Sequence, residues 1–167
     1  MLKAIVKFFK ALNKNSHPGE IAHAVCCGMI LGFLPKDNAL WYILAVLFIF
    51  LRMQKSAFLI FTLIFTLASP FFDSLFDTVG YFVLKTDFLQ PLFVFLIKIP
   101  LVGYTRFYNS IVMGSLLCSL LLYIPLYFIS KAIIQLWRNK MVPLVRKTRL
   151  VKIVSKLPLV SKIKEVM

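Results

Sequence analysis

Positive charge is concentrated at the two ends of this chain, and the segment between them is almost entirely apolar. Four lysines and no acidic residue give residues 1–16 a charge of +4, and ten Lys/Arg against one Glu give residues 131–167 a charge of +9, out of +14 in total. Hydrophobic residues make up 60% of the chain, and its mean hydropathy is +0.88. Chain segments rich in Lys and Arg next to membrane helices stay on the cytoplasmic side of the membrane. This pattern therefore predicts a multi-pass, all-α membrane protein with both termini in the cytoplasm.

The composition also narrows the classes of function. A soluble domain of 167 residues cannot bury this many Phe, Leu and Ile side chains. The basic residues flank apolar runs, so we expect anionic lipid headgroups rather than nucleic acid as the partner. Cys26, Cys27 and Cys118 have neither disulfide nor metal-ligand spacing, and we interpret them as small apolar residues in buried helices. We expect no metal and no cofactor.

Three regions follow from the charge pattern. Residues 1–15 are predicted to form an amphipathic helix in the headgroup layer, residues 16–130 a polytopic membrane domain, and residues 131–167 a basic, amphipathic cytoplasmic tail. Residues 131–138 are expected to continue the last membrane helix, with Trp137 at the interface. The alternative for the tail is that it docks a cytoplasmic protein. The residues expected to contact lipid headgroups are Lys3, Lys7, Lys10, Arg149, Lys152 and Lys156.

Only one apolar run, Ile111–Ile129, has the length of about 20 residues that a membrane-spanning helix needs. Shorter runs of this kind are more typical of buried or re-entrant segments. We predict two short helical hairpins that enter from the cytoplasm, followed by a helix pair over about 88–104 and 111–130. The alternative makes every run a tilted span, giving six crossings. The shorter runs are Ile21–Leu34, Ala39–Leu51, Ala57–Ala68, Phe71–Leu84 and Leu89–Val102, the last interrupted by Pro91, Lys98 and Pro100.

Glycine and proline mark where helices begin, turn and approach one another. Pro18 suits the first position of a helix, where its missing N–H has no intrahelical partner to lose. Gly28 and Gly32 are four residues apart, a spacing that lets a second helix pack closely. Turns are predicted after Pro35 and at Pro70, which separate the two runs of each hairpin.

Asp73 and Asp77 are four residues apart and therefore share a helix face. A carboxylate in the middle of a membrane costs roughly 2.5–3.5 kcal/mol, so this segment should not face lipid alone. Either the aspartates are solvated anchors near headgroups or pair with Lys98 or Arg106, or they line a path for a proton, an ion or a substrate. The candidate polar face comprises Ser69, Asp73, Asp77, Lys98, Arg106 and Asn109.

Catalytic groups are few. His23 lies on an apolar helix and is interpreted as a hydrogen-bonded structural residue, with proton sensing as the alternative. The sequence has no phosphate-binding glycine loop, no zinc motif and no arrangement of Ser, His and Asp that indicates a hydrolase. We therefore predict that the protein is not an enzyme.

Two stretches resemble an uncharacterised family of bacterial inner-membrane proteins, a domain of unknown function. The pattern Ser16-x-Pro18-x-Glu20-Ile21-Ala22, followed by Gly28-x-x-x-Gly32-x-x-Pro35, resembles the family's opening signature. The segment 106–110 with Gly114-Ser115 resembles a second signature, found in a subfamily of short proteins of similar total length. The family's Asn-Pro at the second hairpin is Ser69-Pro70 here. The resemblance covers residues 16–130 and implies an inner-membrane protein whose gene lies beside one for a larger envelope protein.

Three functions remain open from the sequence. The first is a non-enzymatic inner-membrane subunit of an envelope complex, which anchors or gates a larger partner, with lipid transport between membranes as one candidate task. The second is a small autonomous proton- or ion-coupled transporter or channel that uses Asp73 and Asp77. An enzyme acting on lipid or isoprenoid substrates is the weakest of the three. A subunit should lose stability without its partner, whereas a transporter should work alone in liposomes.

Overall fold

The computed structural model describes residues 17–141, and all regular secondary structure within them is helical. The all-α prediction is therefore confirmed for this part of the chain. The predicted N-terminal helix with Lys3, Lys7 and Lys10, and the tail residues Arg149, Lys152 and Lys156, lie outside the described residues. The helices are α1 (Pro18–Phe33), α2 (Ala39–Phe50), α3 (Lys55–Ala68), α4 (Asp73–Leu84), α5 (Gln90–Ile97), α6 (Pro100–Gly103) and α7 (Ser110–Leu136), with 3₁₀ turns at Ser69–Phe71 and Asp87–Leu89 and a π-helical end at Trp137–Met141.

Helix α1 is the centre of the fold. It packs against both α3 and α7, and from Ile21 to Phe33 every residue except His23 is buried. A helix that is apolar on all sides needs neighbours on all sides, which explains why α1 carries almost no polar residue after Glu20. As the sequence predicts, α1 begins at Pro18 and carries Glu20 in its first turn, where the helix dipole favours an acidic side chain.

The helices pair differently from the predicted hairpins. The main partner of α3 is α1, and the main partner of α4 is α7, rather than each helix packing on its neighbour in the chain. The axes of α3 and α4 bend by 79° at the break between them, so these two helices diverge. Helix α2 makes few contacts with α1. The structure thus confirms the breaks at Pro35 and Ser69-Pro70 but corrects the pairing of the segments that they separate.

Helix α7 is the one helix among residues 17–141 that is long and apolar enough to cross a membrane by itself. A second crossing is obtained if the bent pair α3–α4 counts as one span. The helix includes the whole predicted run Ile111–Ile129 and continues beyond Lys131, as the sequence predicts. Helices α1 and α2 are apolar but shorter than a spanning helix. The number of crossings therefore stays a prediction.

The segment predicted to pair with α7 is not one continuous helix. Helix α5 ends at Ile97, the chain turns at Lys98 and Ile99, and the short α6 begins at Pro100. The physical reason lies in Pro100, which has no N–H to continue a helical hydrogen-bond ladder and disfavours helical dihedrals in the residue before it.

Candidate functional site

Two glycines bring α1 and α3 into close contact, as their spacing predicts. A Cβ atom added at Gly28 would lie 3.0 Å from both the Cβ atom of Phe61 and the backbone nitrogen of Thr62. A Cβ atom at Gly32 would overlap the Cβ atom of Phe65. Because only glycine leaves this space free, the two backbones approach to a distance that no larger residue allows.

A second close crossing, which was not predicted, joins α4 and α7. A Cβ atom at Gly80 would overlap the carbonyl group of Ser110, and one at Gly114 would overlap the carbonyl group of Phe76. The signal was present in the sequence, because Ser110 and Gly114 are four residues apart and repeat the small-residue spacing of α1. This crossing fixes α4, and with it both aspartates, against the start of α7.

Asp77 lies at the N-terminal end of α7. The Ser110 hydroxyl donates a hydrogen bond to Asp77 Oδ1, and Asn109 caps the same helix by accepting hydrogen bonds from the backbone N–H groups of Ile111 (2.9 Å) and Val112 (3.4 Å). The positive end of the α7 dipole is therefore close to the Asp77 carboxylate, an arrangement that stabilises a negative charge. Asp77 is exposed, so this arrangement resembles a helix-end contact more than a buried ion site.

Asp73 lies at the bend between α3 and α4. The Ser69 hydroxyl is 3.3 Å from the carbonyl oxygen of Phe33 and 3.4 Å from Asp73 Oδ1. A hydroxyl group has one hydrogen, so Ser69 donates to one of these acceptors at a time. Asp73 is also the first residue of α4, where its charge complements the helix dipole. Ser69 thus connects the end of α1 to the bend.

The alternative in which the aspartates pair with Lys98 or Arg106 is not found within residues 17–141. Arg106 Nη1 lies 2.7 Å from Asp37 Oδ2, and within residues 17–141 the exposed Lys98 forms no ion pair. The loop around Asp37 meets the loop around Arg106 because the N–H group of Ala39 donates to the carbonyl oxygen of Tyr104 at 3.1 Å. Both charged side chains are more than half exposed, so this pair contributes at most about 1 kcal/mol. The predicted polar face is therefore not one site: Ser69 and Asp73 lie at the bend, Asp77 and Asn109 at the start of α7, and Arg106 pairs with Asp37.

An apolar groove runs along α7 on the side that faces α1, α3 and α4. One pocket of about 540 Å³ lies between α4 and α7, and a second of about 340 Å³ shares Phe65, Leu126 and Ile129 with it and continues to Trp137. We call the two together the lateral groove. Neither Asp73 nor Asp77 lines it. Its residues are Ile21, Val25, Met29, Phe33, Phe61, Phe65, Phe72, Leu75, Phe76, Cys118, Leu121, Leu122, Pro125, Leu126, Ile129, Ser130, Ile133, Ile134 and Trp137.

His23 forms the hydrogen bond that the sequence predicts, although it is exposed. Its Nδ1 atom is 2.6 Å from the hydroxyl oxygen of Tyr123, and its ring centroid is 4.7 Å from that of Tyr127. Cys26 and Cys27 are buried in α1 and Cys118 is half-buried in α7, all three as free thiols. In residues 17–141, no group of three or more His, Cys, Asp and Glu side chains is placed to hold a metal ion.

Comparison with known proteins gives the family. A family model described as an uncharacterized protein conserved in bacteria, DUF2062, matches residues 4–142. A protein of Treponema pallidum (strain Nichols) with the name "Uncharacterized protein" is 32% identical over 159 residues, which cover 95% of this chain and 98% of that protein. No solved structure matches the chain. The resemblance based on the glycine and proline signatures is thereby confirmed, and the chain belongs to the DUF2062 family of conserved bacterial proteins.

Proposed function

We propose that this protein is a non-enzymatic inner-membrane subunit of a bacterial envelope complex, which anchors or gates a larger partner protein. The observation that carries the proposal is helix α2. Its twelve residues are apolar throughout, yet Phe48 is its only buried residue. Side chains of this kind require a non-aqueous neighbour. The exposed residues of α2 are Tyr42, Ile43, Val46, Leu47, Ile49 and Phe50.

Lipid alone is a poor neighbour for α2. At about 1.5 Å per residue the helix is roughly 18 Å long, which is short of the roughly 30 Å hydrocarbon core. A helix of this length in lipid would leave one of its capped ends, which carry Asp37 or Lys55, inside that core, where a charge is costly. A protein surface that covers the flank of α2 buries its apolar side chains, and the helix then does not have to cross the membrane.

The two ends of α2 are already closed, which favours a docking role for its flank. Asn38 caps the N-terminus, because its Oδ1 atom accepts from the N–H group of Trp41 at 2.8 Å. At the other end, Lys55 Nζ donates to the carbonyl oxygens of Leu51 (2.7 Å), Phe48 (3.4 Å) and Ile49. A cation at the carbonyl end of a helix also complements its dipole. The helix is thus held in place while its apolar flank stays uncovered.

The transporter alternative has less support. An ion path needs polar groups that face a shared cavity. Asp77 instead bonds to Ser110 at a helix end, Asp73 lies beside Ser69 at the bend, and the lateral groove contains neither carboxylate. The partner's nature, a larger envelope protein encoded beside this chain, rests on the family resemblance. The position of the two termini in the cytoplasm rests on the charge pattern.

The test is affinity purification of the full-length chain in mild detergent, with the adjacent gene's envelope protein quantified in the eluate. Replacing Val46 and Phe50 by Ser removes two exposed apolar anchors of α2, of which Phe50 is 84% exposed. We expect recovery of the partner to fall about tenfold or more, because an apolar interface anchor contributes about 2 kcal/mol.

A matched control uses the outer face of α7. Ile124→Ser with Phe128→Ser removes one aliphatic and one aromatic side chain that are also exposed and that line neither part of the lateral groove. This variant should retain the partner. Equal recovery with both double variants, or no partner with the unaltered chain, would contradict the proposal.

A further inference from the structure

We infer that the lateral groove binds one acyl chain of an anionic phospholipid, with the headgroup at the Trp137 end. This inference rests on the membrane location in the proposed function. It names a ligand class for the lateral groove, to which helix α2 contributes no residue. The two parts of the groove, of about 540 and 340 Å³, lie within the range of roughly 300–1,000 Å³ that is usual for small-molecule sites.

The lining selects a hydrocarbon. Aromatic rings of Phe65, Phe72 and Phe76 and aliphatic chains of α7 form its walls, and Ser130 is its one side chain with a hydroxyl group. A charged or strongly polar ligand would lose its hydration here without gaining hydrogen bonds. A flexible alkyl chain has no polar group to desolvate and gains dispersion contacts with the walls.

The dimensions also fit a chain from one leaflet. Ile129, which both pockets share, lies eight residues before Trp137, and Cys118 lies nineteen residues before it. At roughly 1.5 Å per helical residue, these separations correspond to about 12 and 28 Å. Half of a hydrocarbon core of roughly 30 Å is about 15 Å. A chain that enters beside Trp137 therefore passes Ile129 and ends in the wider part of the groove.

Charge at one end identifies the headgroup. Trp137 lines the groove, and tryptophan favours the boundary between headgroups and hydrocarbon. Lys131 and Arg138 flank the groove residue Ile134 at distances of three and four residues, and residues 131–141 contain no acidic side chain. Lys131 Nζ also lies 5.9 Å from the ring centroid of Tyr127, which holds the ammonium group on this helix. These positive charges complement a phosphate-bearing, net anionic headgroup.

The experiment uses the purified full-length protein in lipid nanodiscs and a phosphatidylglycerol whose acyl chain carries a photoreactive diazirine. Ile129→Trp places a bulky ring where the two pockets meet, and Ile124→Trp is the matched control on the same helix. The two isoleucines are 54% and 65% exposed, and only Ile129 lines the groove. Cross-linked peptides are identified by mass spectrometry.

We expect cross-links in the unaltered protein at groove residues of α7 and at Phe72–Phe76. Ile129→Trp should lower this labelling several-fold, because the ring occupies the space where the two pockets meet, while Ile124→Trp should leave it unchanged. A phosphatidylcholine probe with the same chain should label less. A thermal melt checks folding, and if Ile129→Trp fails to fold, Ile133→Trp at the headgroup end replaces it.

Equal labelling of all three proteins, or equal labelling by the two headgroups, would overturn the inference. So would a purified complex in which a helix of the partner protein occupies the groove and prevents labelling. The partner-recovery experiment is independent, since it depends on Val46 and Phe50 of α2. Normal partner recovery without groove-specific labelling would therefore remove the lipid site and leave the subunit function in place.

Discussion

At the residue scale, several polar side chains among residues 17–141 close helix ends. Asn38 and Asn109 cap α2 and α7, Lys55 binds the last carbonyls of α2, and Ser69 lies within hydrogen-bond distance of the last residue of α1. Free N–H and C=O groups at helix ends are costly away from water, so short helices need such partners. Asp77 belongs to the same set through its bond with Ser110.

The Asp77–Ser110 contact gives a prediction that separates a structural carboxylate from a transport group. Asp77→Asn keeps an oxygen that accepts from Ser110 and loses only the charge beside the α7 dipole, so the free energy of unfolding in detergent should fall by about 0.3–1 kcal/mol. Asp77→Ala and Ser110→Ala should each lower the free energy of unfolding by about 0.5–1.5 kcal/mol, and the double variant by less than the sum. If Asp77→Asn abolishes function at an unchanged protein level, the transport-path interpretation is favoured instead.

At the element scale, the glycine crossings decide which helices become neighbours. Gly28 and Gly32 select α3 as a partner for α1, and Gly80 and Gly114 select α7 as a partner for α4. Local signals such as Pro18 and Ser69-Pro70 predict where helices begin and break, because those effects act within one turn. The partner of a helix depends on residues far away in the chain. That is why the structure corrects the packing partners of the helices in the predicted hairpins, and why Arg106 pairs with Asp37 rather than with Asp73 or Asp77.

A glycine series tests this account of the packing. Gly80→Ala and Gly114→Ala each put a methyl group into a carbonyl of the facing helix and should lower stability by about 1–3 kcal/mol or more. Gly103→Ala is the control, because a Cβ atom there meets nothing within 4 Å, and it should be neutral or slightly stabilising. The measurement is thermal unfolding in detergent. Equal melting temperatures for Gly80→Ala and Gly103→Ala would show that α4 and α7 are not in close contact.

At the scale of the whole molecule, charge and hydropathy predict a membrane location. The fold then shows which apolar surfaces stay uncovered. For residues 17–141 the sequence correctly indicated an all-α structure with one long apolar helix, because both properties follow from composition and run length. The lateral groove could not be predicted. It combines residues from α1, α3, α4 and α7, and its walls depend on the 79° bend between α3 and α4.

The predicted orientation can be measured with reporter fusions. Arg52 lies between α2 and α3, Lys55 is the first residue of α3, and residues 131–167 carry a net charge of +9, so both sites should stay in the cytoplasm. Reporters placed after Lys55 and after Met167 should show cytoplasmic and no periplasmic activity. A periplasmic signal at either site would overturn the proposed topology.

The proposed role as a subunit is tested most directly by the lifetime of the chain in cells that contain or lack the adjacent envelope protein. The account predicts that the chain is degraded several-fold faster without its partner, because α2 is then uncovered, and that Val46→Ser with Phe50→Ser shortens the lifetime to the same extent in cells that have the partner. An equal lifetime in both cell types, together with transport by the purified chain alone in liposomes, would contradict it.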